Sequence, residues 1–319
     1  MSCKTAILIT GPTASGKTAI GIQVAQQLPA AEILSVDSRQ LYCHLDIGTA
    51  KPSPQQRAQV RHHFLDVAEP DTPYSAGRYA REARALIRRL WEEGKTPVLV
   101  GGTGLYWQAV FDGICQDEGE YGPVRAWLGE RLEREGLGAL YAELGKLDPQ
   151  SQARLNRGDP QRIMRALEVA HASGKSLSRR WAGQGEDALE GWHLMFCLSV
   201  ERQELYRRIG ARVEHMLEQG LVEEVNHLVD IGYGRGTYAL GSLGYAEILD
   251  YLEGKCSLGE AVARLEQRTR QYAKRQLTWF RRDRRLRWLE VGVWGEEGVV
   301  ERILEHLQHH LGATGSFLC

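Results

Sequence analysis

The sequence predicts an α/β fold, a parallel sheet flanked by helices and interrupted by a helical insertion, and three observations predict it. The apolar run Thr5-Ala6-Ile7-Leu8-Ile9-Thr10 enters a Gly-rich turn, GPTASGKT at 11–18, which leads into the amphipathic stretch 19–28. Further short apolar runs alternate with helical periodicity, the pattern of parallel strands joined by crossover helices. From Asp112 to about Gly191 no convincing strand occurs, and Glu, Arg, Leu and Gly dominate. The chain therefore divides into a first core segment at 1–112, an insertion at 113–190, and a return to the core with C-terminal helices at 191–319.

The turn is the most specific signal. Gly11, Pro12, Thr13, Ala14, Ser15, Gly16, Lys17 and Thr18 spell G-x-x-x-x-G-K-[ST] between a strand and a helix, a P-loop NTPase-like arrangement. Its glycines let backbone N–H groups converge on one anion. Lys17 adds a full positive charge, Thr18 can offer its hydroxyl to Mg²⁺, and the helix N-terminus adds partial positive charge. The motif names a ligand class, phosphate or diphosphate, and not a reaction.

Next in order, the strand 32–36 ends in Asp37-Ser38-Arg39-Gln40. A right-handed βαβ unit places both strand C-termini on one sheet edge, so Asp37 is expected near the phosphate loop. There it serves as general base or organiser of metal-bound water, or it caps the next turn. Residues 46–52 read as a polar turn, 54–61 as a basic helix and 62–67 as a third strand. Neighbouring strand residues face opposite ways, so His62 and His63 would not chelate one ion together. Residues 75–93 form a solvated helix, and the apolar strand 96–100 ends in Gly101-Gly102-Thr103-Gly104. A nucleotide-hydrolysing relative would carry an Asp there; glycines instead suit a closely approaching substrate.

The insertion includes the helical stretch 161–171, with Arg162 and Arg165 off its apolar face. The apolar strand 192–200 returns to the sheet, and a helix pair follows at 202–219 and 221–231. On the first of these, Arg208 and Arg212 share a face, as surface charge or as an anion contact. A Gly-rich turn, 238–245, precedes another helix, and Arg268–Arg287 holds nine Lys or Arg against one acid, with Tyr272, Trp279 and Phe280 interleaved. A helix this basic, with aromatics, is a nucleic-acid footprint. A strand at 289–291 and an amphipathic helix close the chain.

Composition limits the alternatives. With 40 Lys+Arg against 41 Asp+Glu, overall charge does not draw the 319-residue chain to nucleic acid, so any such surface arises from local clustering. Six cysteines, at 3, 43, 115, 197, 256 and 319, form no C-x-x-C pair, as expected of free thiols in a reducing cytosol. The first strand begins at once, leaving no room for a signal peptide, and no apolar run approaches the roughly 18 residues of a membrane span. These features suit a soluble cytoplasmic protein, and none demands a dimer.

Taken in succession, GPTASGKT at 11–18, DSRQLY at 37–42, DIGTAKP at 46–52, HHFLD at 62–66, PVLVGGTGLY at 97–106, RALEV at 165–169 and YAKRQLTWFR at 272–281 resemble the tRNA dimethylallyltransferase (isopentenyltransferase) family over nearly the whole chain. The resemblance implies transfer of a dimethylallyl group from dimethylallyl diphosphate to the exocyclic amine of the adenosine 3′ of the anticodon, with release of diphosphate. By the same resemblance the phosphate loop holds the prenyl diphosphate, with Mg²⁺ assisted by Thr18. Asp37 accepts the amine proton, Thr103 positions the reacting groups, and Lys17 and Arg212 contact phosphate. The family's tRNA-contacting segments correspond to Asp37, Ser38, Arg39, Gln40 and Thr103; to Gln161, Arg162 and Arg165, with Arg125 added; to Gly241, Ser242, Gly244 and Tyr245; and to Lys274, Arg275, Gln276, Trp279 and Arg281. The chain departs from the family pattern at Asn156–Asp159, at Ala246 and in the acidic stretch Cys115–Tyr121. Three other readings compete: an adenylate isopentenyltransferase using a free nucleotide, a phosphoryl-transferring kinase, and an RNA-binding protein without catalysis. The insertion and the basic aromatic stretch argue against the first, because a mononucleotide needs neither.

Overall fold

In the computed structural model, residues 4–113, 121–174, 176–178 and 187–313 are described. β1 (Thr5–Thr10) is buried at every position, as a strand covered on both faces must be. The phosphate loop passes it into α1 (Lys17–Gln26), and β2 (Ala31–Ser35) follows. α2 (Pro54–Gln59) starts on a Ser53/Gln56 capping box with Pro at its first position. After β3 (His62–His63), Ser75 caps α3 (Ala76–Glu92), which leads to β4 (Thr96–Val100) and α4 (Gly104–Asp112). Beyond the insertion come β5 (Trp192–Ser199), α8 (Arg202–Glu218), α9 (Leu221–Asp230), α10 (Tyr245–Leu252), α11 (Leu258–Phe280), β6 (Arg287–Glu290) and α12 (Val291–Ala313).

The six strands form one sheet in the order β3-β2-β4-β1-β5-β6, with every neighbouring pair parallel. All strand C-termini therefore share an edge, with β1 between β4 (Ile7 opposite Val98) and β5 (Ile7 opposite Leu194). Alternate residues divide the core. Ile7 and Ile9 pack with Ile20 and Val24 of α1 and with Val299 and Ile303 of α12. α3 is bolted to the sheet by polar groups, the Tyr79 hydroxyl donating to the Ser35 carbonyl and Trp91 Nε1 to that of Thr5, each at 2.8 Å.

The chain separates into two compact units, residues 1–111 with 190–319, and residues 112–189. The second is helical, with α5 (Gly122–Leu147), α6 (Pro149–Arg154) and α7 (Pro160–Ser173). α5 breaks at Gly136, whose φ of 75° is left-handed. Leu128, Leu140, Leu144, Ile163 and Leu167 form this unit's own core.

Two expectations need correction. The strand read over 62–67 shrinks to His62–His63, because Phe64 and Asp66 take left-handed φ values of 60° and 55° while the Asp66 carboxylate binds Lys51 and Arg57. The basic stretch is not one helix. α11 stops at Phe280, the N–H groups of Arg282 and Asp283 bond back to Trp279 and Phe280 in a turn held by Asp283, and Arg287 opens β6. The two histidines act structurally, His62 bonding the Val60 carbonyl and His63 the Glu32 carboxylate.

Cys43, Cys197 and Cys256 are free thiols, and no helix among the described residues is long and apolar enough to cross a membrane. Cys3, Cys115, Cys319 and the acidic stretch as far as residue 120 lie outside the described residues.

Candidate active site

The shared sheet edge assembles the site from four directions. From β1 comes the phosphate loop, where Gly16 caps α1 with φ 88°, a left-handed turn that a side chain would strain. Lys17 Nζ donates to the Pro12 carbonyl at 2.7 Å, and the buried Ser15 hydroxyl has no hydrogen-bond partner among the described residues. From β2 comes Asp37, whose Oδ1 accepts from the N–H groups of Arg39 (2.8 Å) and Gln40 (3.4 Å). The turn-capping role and a place in the site are thus combined in one residue. From β4 comes Thr103, whose hydroxyl accepts from the Ser38 N–H at 3.0 Å and so docks the Asp37 turn onto the Gly-rich strand end. From the later helices come Arg212 of α8 and Tyr272 and Gln276 of α11.

Lys17, Asp37, Arg212, Tyr272 and Gln276 line a chamber of about 70 Å³. A cleft of about 840 Å³ shares Lys17, Thr18, Ala50 and Arg212 with it, so the two cavities adjoin at the phosphate loop. Gln276 is buried and joins two edges of the chamber: Nε2 donates to the Gly102 carbonyl at 2.9 Å and Oε1 accepts the Thr13 N–H at 2.8 Å.

The charges in this chamber call for an anion. Burial, aided by the nearby Arg212 cation, pulls the Lys17 ammonium down to about 8, although Asp37 and Cys197 pull the other way and part of the side chain still meets water. Arg212 is likewise lowered from its ordinary value by burial, with Asp37 opposing. The Tyr272 phenol is raised by burial and then by the Asp37 carboxylate, so it stays protonated. Two desolvated cations beside one carboxylate leave the site electron-poor until an anion enters.

A second network holds the mouth of the cleft. Glu224 accepts from the N–H groups of Asp46 (3.0 Å), Ile47 (2.7 Å) and Gly48 (3.1 Å), and the buried Tyr245 hydroxyl donates to it at 2.6 Å. Lys51, its side chain fully buried, lies 2.5 Å from both Asp46 and Asp66 and donates to the Tyr42 carbonyl. Asp46, Lys51 and Asp66 brace the 46–52 turn while also lining the larger cleft.

The expected site residues fall into several groups. Lys17, Thr18, Asp37 and Arg212 come together, with Thr103 bonded to the Asp37 turn. Lys274, Arg275 and Arg281 are exposed on or just beyond α11, Trp279 is half-buried, and Gly241 is exposed. Arg125, Gln161, Arg162 and Arg165 belong to the insertion, where Arg125 and Arg165 bond the buried Glu168 carboxylate and Arg162 faces Asp159. Gln276, Ser242 and Tyr245, expected to touch RNA, are buried with their polar groups engaged inside the protein, Ser242 on the Ala239 carbonyl. Gln40 is also held internally by the Ala50 carbonyl and the Ser35 hydroxyl. Arg39 stacks over Tyr238, and Gly244 begins α10 with φ 95°. Sequence reasoning missed Tyr272 as a site residue and Glu224 as the brace of the 46–48 turn. Helical spacing puts Tyr272 and Gln276 on one face, a signal for the former; nothing in the sequence marks Glu224.

The IPP transferase family model matches residues 40–283. The tRNA dimethylallyltransferase of Carboxydothermus hydrogenoformans is 43% identical over 93% of this chain and 96% of its own. Among solved structures, the tRNA delta(2)-isopentenylpyrophosphate transferase of Staphylococcus epidermidis superposes with a TM-score of 0.70 at 33% identity, covering 96% of this chain and 99% of that one. A eukaryotic dimethylallyltransferase acting on tRNA does so with a TM-score of 0.75 at 27% identity, over 90% of this chain and 73% of that one. Matched across most of its length in both sequence and fold, the chain belongs to the IPP transferase family.

Proposed function

We propose that the protein is a transferase that moves a dimethylallyl group from dimethylallyl diphosphate to the N6 amine of the adenosine 3′ of the anticodon in tRNA, releasing diphosphate. The observation that carries this reading is one chamber in which a phosphate loop, two desolvated cations and one carboxylate meet. Curated relatives named for this activity support it.

The diphosphate seats on the loop, where its oxygens meet the Lys17 ammonium, the converging N–H groups and the Ser15 hydroxyl, which has no partner among the described residues. Lys17 and Arg212 stabilise the negative charge that grows on the leaving group. The amine nitrogen bonds to the allylic carbon, the carbon–oxygen bond to diphosphate breaks, and the surplus amine proton passes to Asp37. Capping by Arg39 and Gln40 fixes that carboxylate before substrate arrives. Thr103 holds the Asp37 turn in register with β4. Glycines at the end of β4, where a hydrolase would hold an attacking water, suit an amine nucleophile that must come close.

The donor set fits Mg²⁺. Among the described residues no three His, Cys, Asp or Glu side chains form a cage, and the loop offers the Thr18 hydroxyl beside an anion site. A hard cation held by few protein oxygens and by substrate phosphates matches that arrangement. Bound there, Mg²⁺ would neutralise diphosphate charge, with Thr18 as its protein ligand.

The test is mass spectrometry of nucleosides from unmodified tRNA incubated with the protein, dimethylallyl diphosphate and Mg²⁺. One dimethylallyl unit is expected on that adenosine, and none with Asp37→Ala. A preference for free AMP as acceptor would overturn the RNA half of the reading, and label from ATP on any acceptor would overturn the donor half.

A further inference from the structure

Beside the catalytic edge is a pocket of about 380 Å³ that the chemistry above does not use, lined by Trp107, Gln108, Trp279, Arg282, Asp283 and Arg284. Its position follows from a close contact. A Cβ on Gly104 would lie 2.4 Å from the Trp279 indole, so that ring packs directly on the backbone of the residue after Thr103. The pocket thus adjoins the strand end where the target amine is expected.

Its lining is distinctive. Trp107 is fully buried, yet its indole N–H has no hydrogen-bond partner among the described residues. A buried donor left unpaired is costly and uncommon, and an acceptor from a ligand relieves it. The single acid, Asp283, is committed to Arg285 at 2.6 Å. Arg282 and Arg284 are exposed and have no carboxylate partner among the described residues. The partly exposed Trp279 indole, the unpaired Trp107 N–H and two exposed guanidinium groups match a nucleotide, with a base to stack, an edge acceptor to bond and a phosphate to neutralise.

We propose that this pocket is a nucleotide subsite that takes a residue flanking the target adenosine, with Trp107 Nε1–H donating to the base and Arg282 and Arg284 meeting its phosphate. The inference rests on the tRNA reading above and adds a site that selects an RNA acceptor over a free mononucleotide. A mononucleotide has no neighbour to place there.

The experiment measures prenylation of an anticodon stem-loop by the full-length protein and by two variants. The first, Arg282→Ala with Arg284→Ala, alters exposed side chains only, so it tests the subsite even if the buried substitution misfolds. It is expected to raise KM for the stem-loop about tenfold while leaving KM for dimethylallyl diphosphate in place, and to flatten the salt dependence of binding by about 0.7 in log–log slope per lost contact. The second, Trp107→Phe, keeps an aromatic ring and removes the N–H. An abasic residue at the recognised neighbour should weaken the parent about tenfold and weaken Trp107→Phe distinctly less, because the base contact is already gone. Product from the parent with KM and salt slope unchanged in the arginine variant, or additive effects of Trp107→Phe and the abasic change at both neighbours, would overturn the subsite alone. No product from the parent would overturn the tRNA reading and the subsite with it.

Discussion

At Asp37 one carboxylate oxygen already accepts two backbone N–H groups, so substitutions must separate capping from proton transfer. Asp37→Asn keeps a side-chain carbonyl for the turn and removes the carboxylate proposed as the base. Single-turnover rates should fall about 10²–10⁴-fold with melting temperature close to the parent. Asp37→Ala should lose the same rate and also about 1 kcal/mol of stability, read by denaturant unfolding. Lys17 sets the pH behaviour of the free enzyme. Its proton is lost near pH 8, and a diphosphate anion favours the protonated form, so donor binding is full below about 8 and weakens as pH rises through it. A plot of kcat/KM for dimethylallyl diphosphate against pH should bend downward there, and Lys17→Arg should move the bend upward. Lys17 and Thr18 were legible because eight contiguous residues impose one backbone shape. Asp37 was legible because βα-crossover geometry sends strand ends to one edge. Tyr272, which lines the chamber, and Glu224, which braces the 46–48 turn, were not, since each acts from a helix far along the chain, and only packing decides which face of that helix turns inward.

The elements differ in how firmly sequence specified them. Apolar runs fixed β1, β2, β4 and β5 to within a residue, whereas the strand read over 62–67 and the end of α11 came as corrections, because charge alone does not say where a helix unwinds into an Asp-held turn. Within α11, Gln276 ties the phosphate loop to the end of β4, and its amide orientation is testable. Gln276→Glu retains an acceptor for the Thr13 N–H but sets an oxygen against the Gly102 carbonyl. It should destabilise the fold by about 1–3 kcal/mol and raise KM for the donor more than KM for RNA. In the insertion, burial works against ionisation of Glu168, but hydrogen bonds from Arg125 and then Arg165 outweigh it and hold the carboxyl below its ordinary value. Its contribution is therefore present above the unfolded carboxylate range and lost as pH falls through the depressed value. Hydrogen exchange at α7 should accelerate below about pH 4 in the parent and be insensitive there in Glu168→Gln.

On the scale of the whole molecule, the chain leaves the sheet after α4 and re-enters at β5, which pairs with β1 over six registered positions. The sheet is thus completed by residues on both sides of the insertion, and the donor loop cannot be fully supported until the C-terminal part of the chain has folded. The amide of Gln276 has a further consequence. It hangs from the same helix that presents Lys274, Arg275 and Trp279, and it grips both the donor loop and the acceptor edge. If RNA binds that helix as proposed, the same amide connects its contacts to the Thr13 N–H and the Gly102 carbonyl. The two proposed substrates would then be linked ligands, and linkage is reciprocal: the factor by which stem-loop tightens dimethylallyl diphosphate in calorimetry is expected to equal the factor by which the diphosphate tightens stem-loop. In Gln276→Glu that shared factor should collapse toward one, leaving two binding events that no longer inform each other.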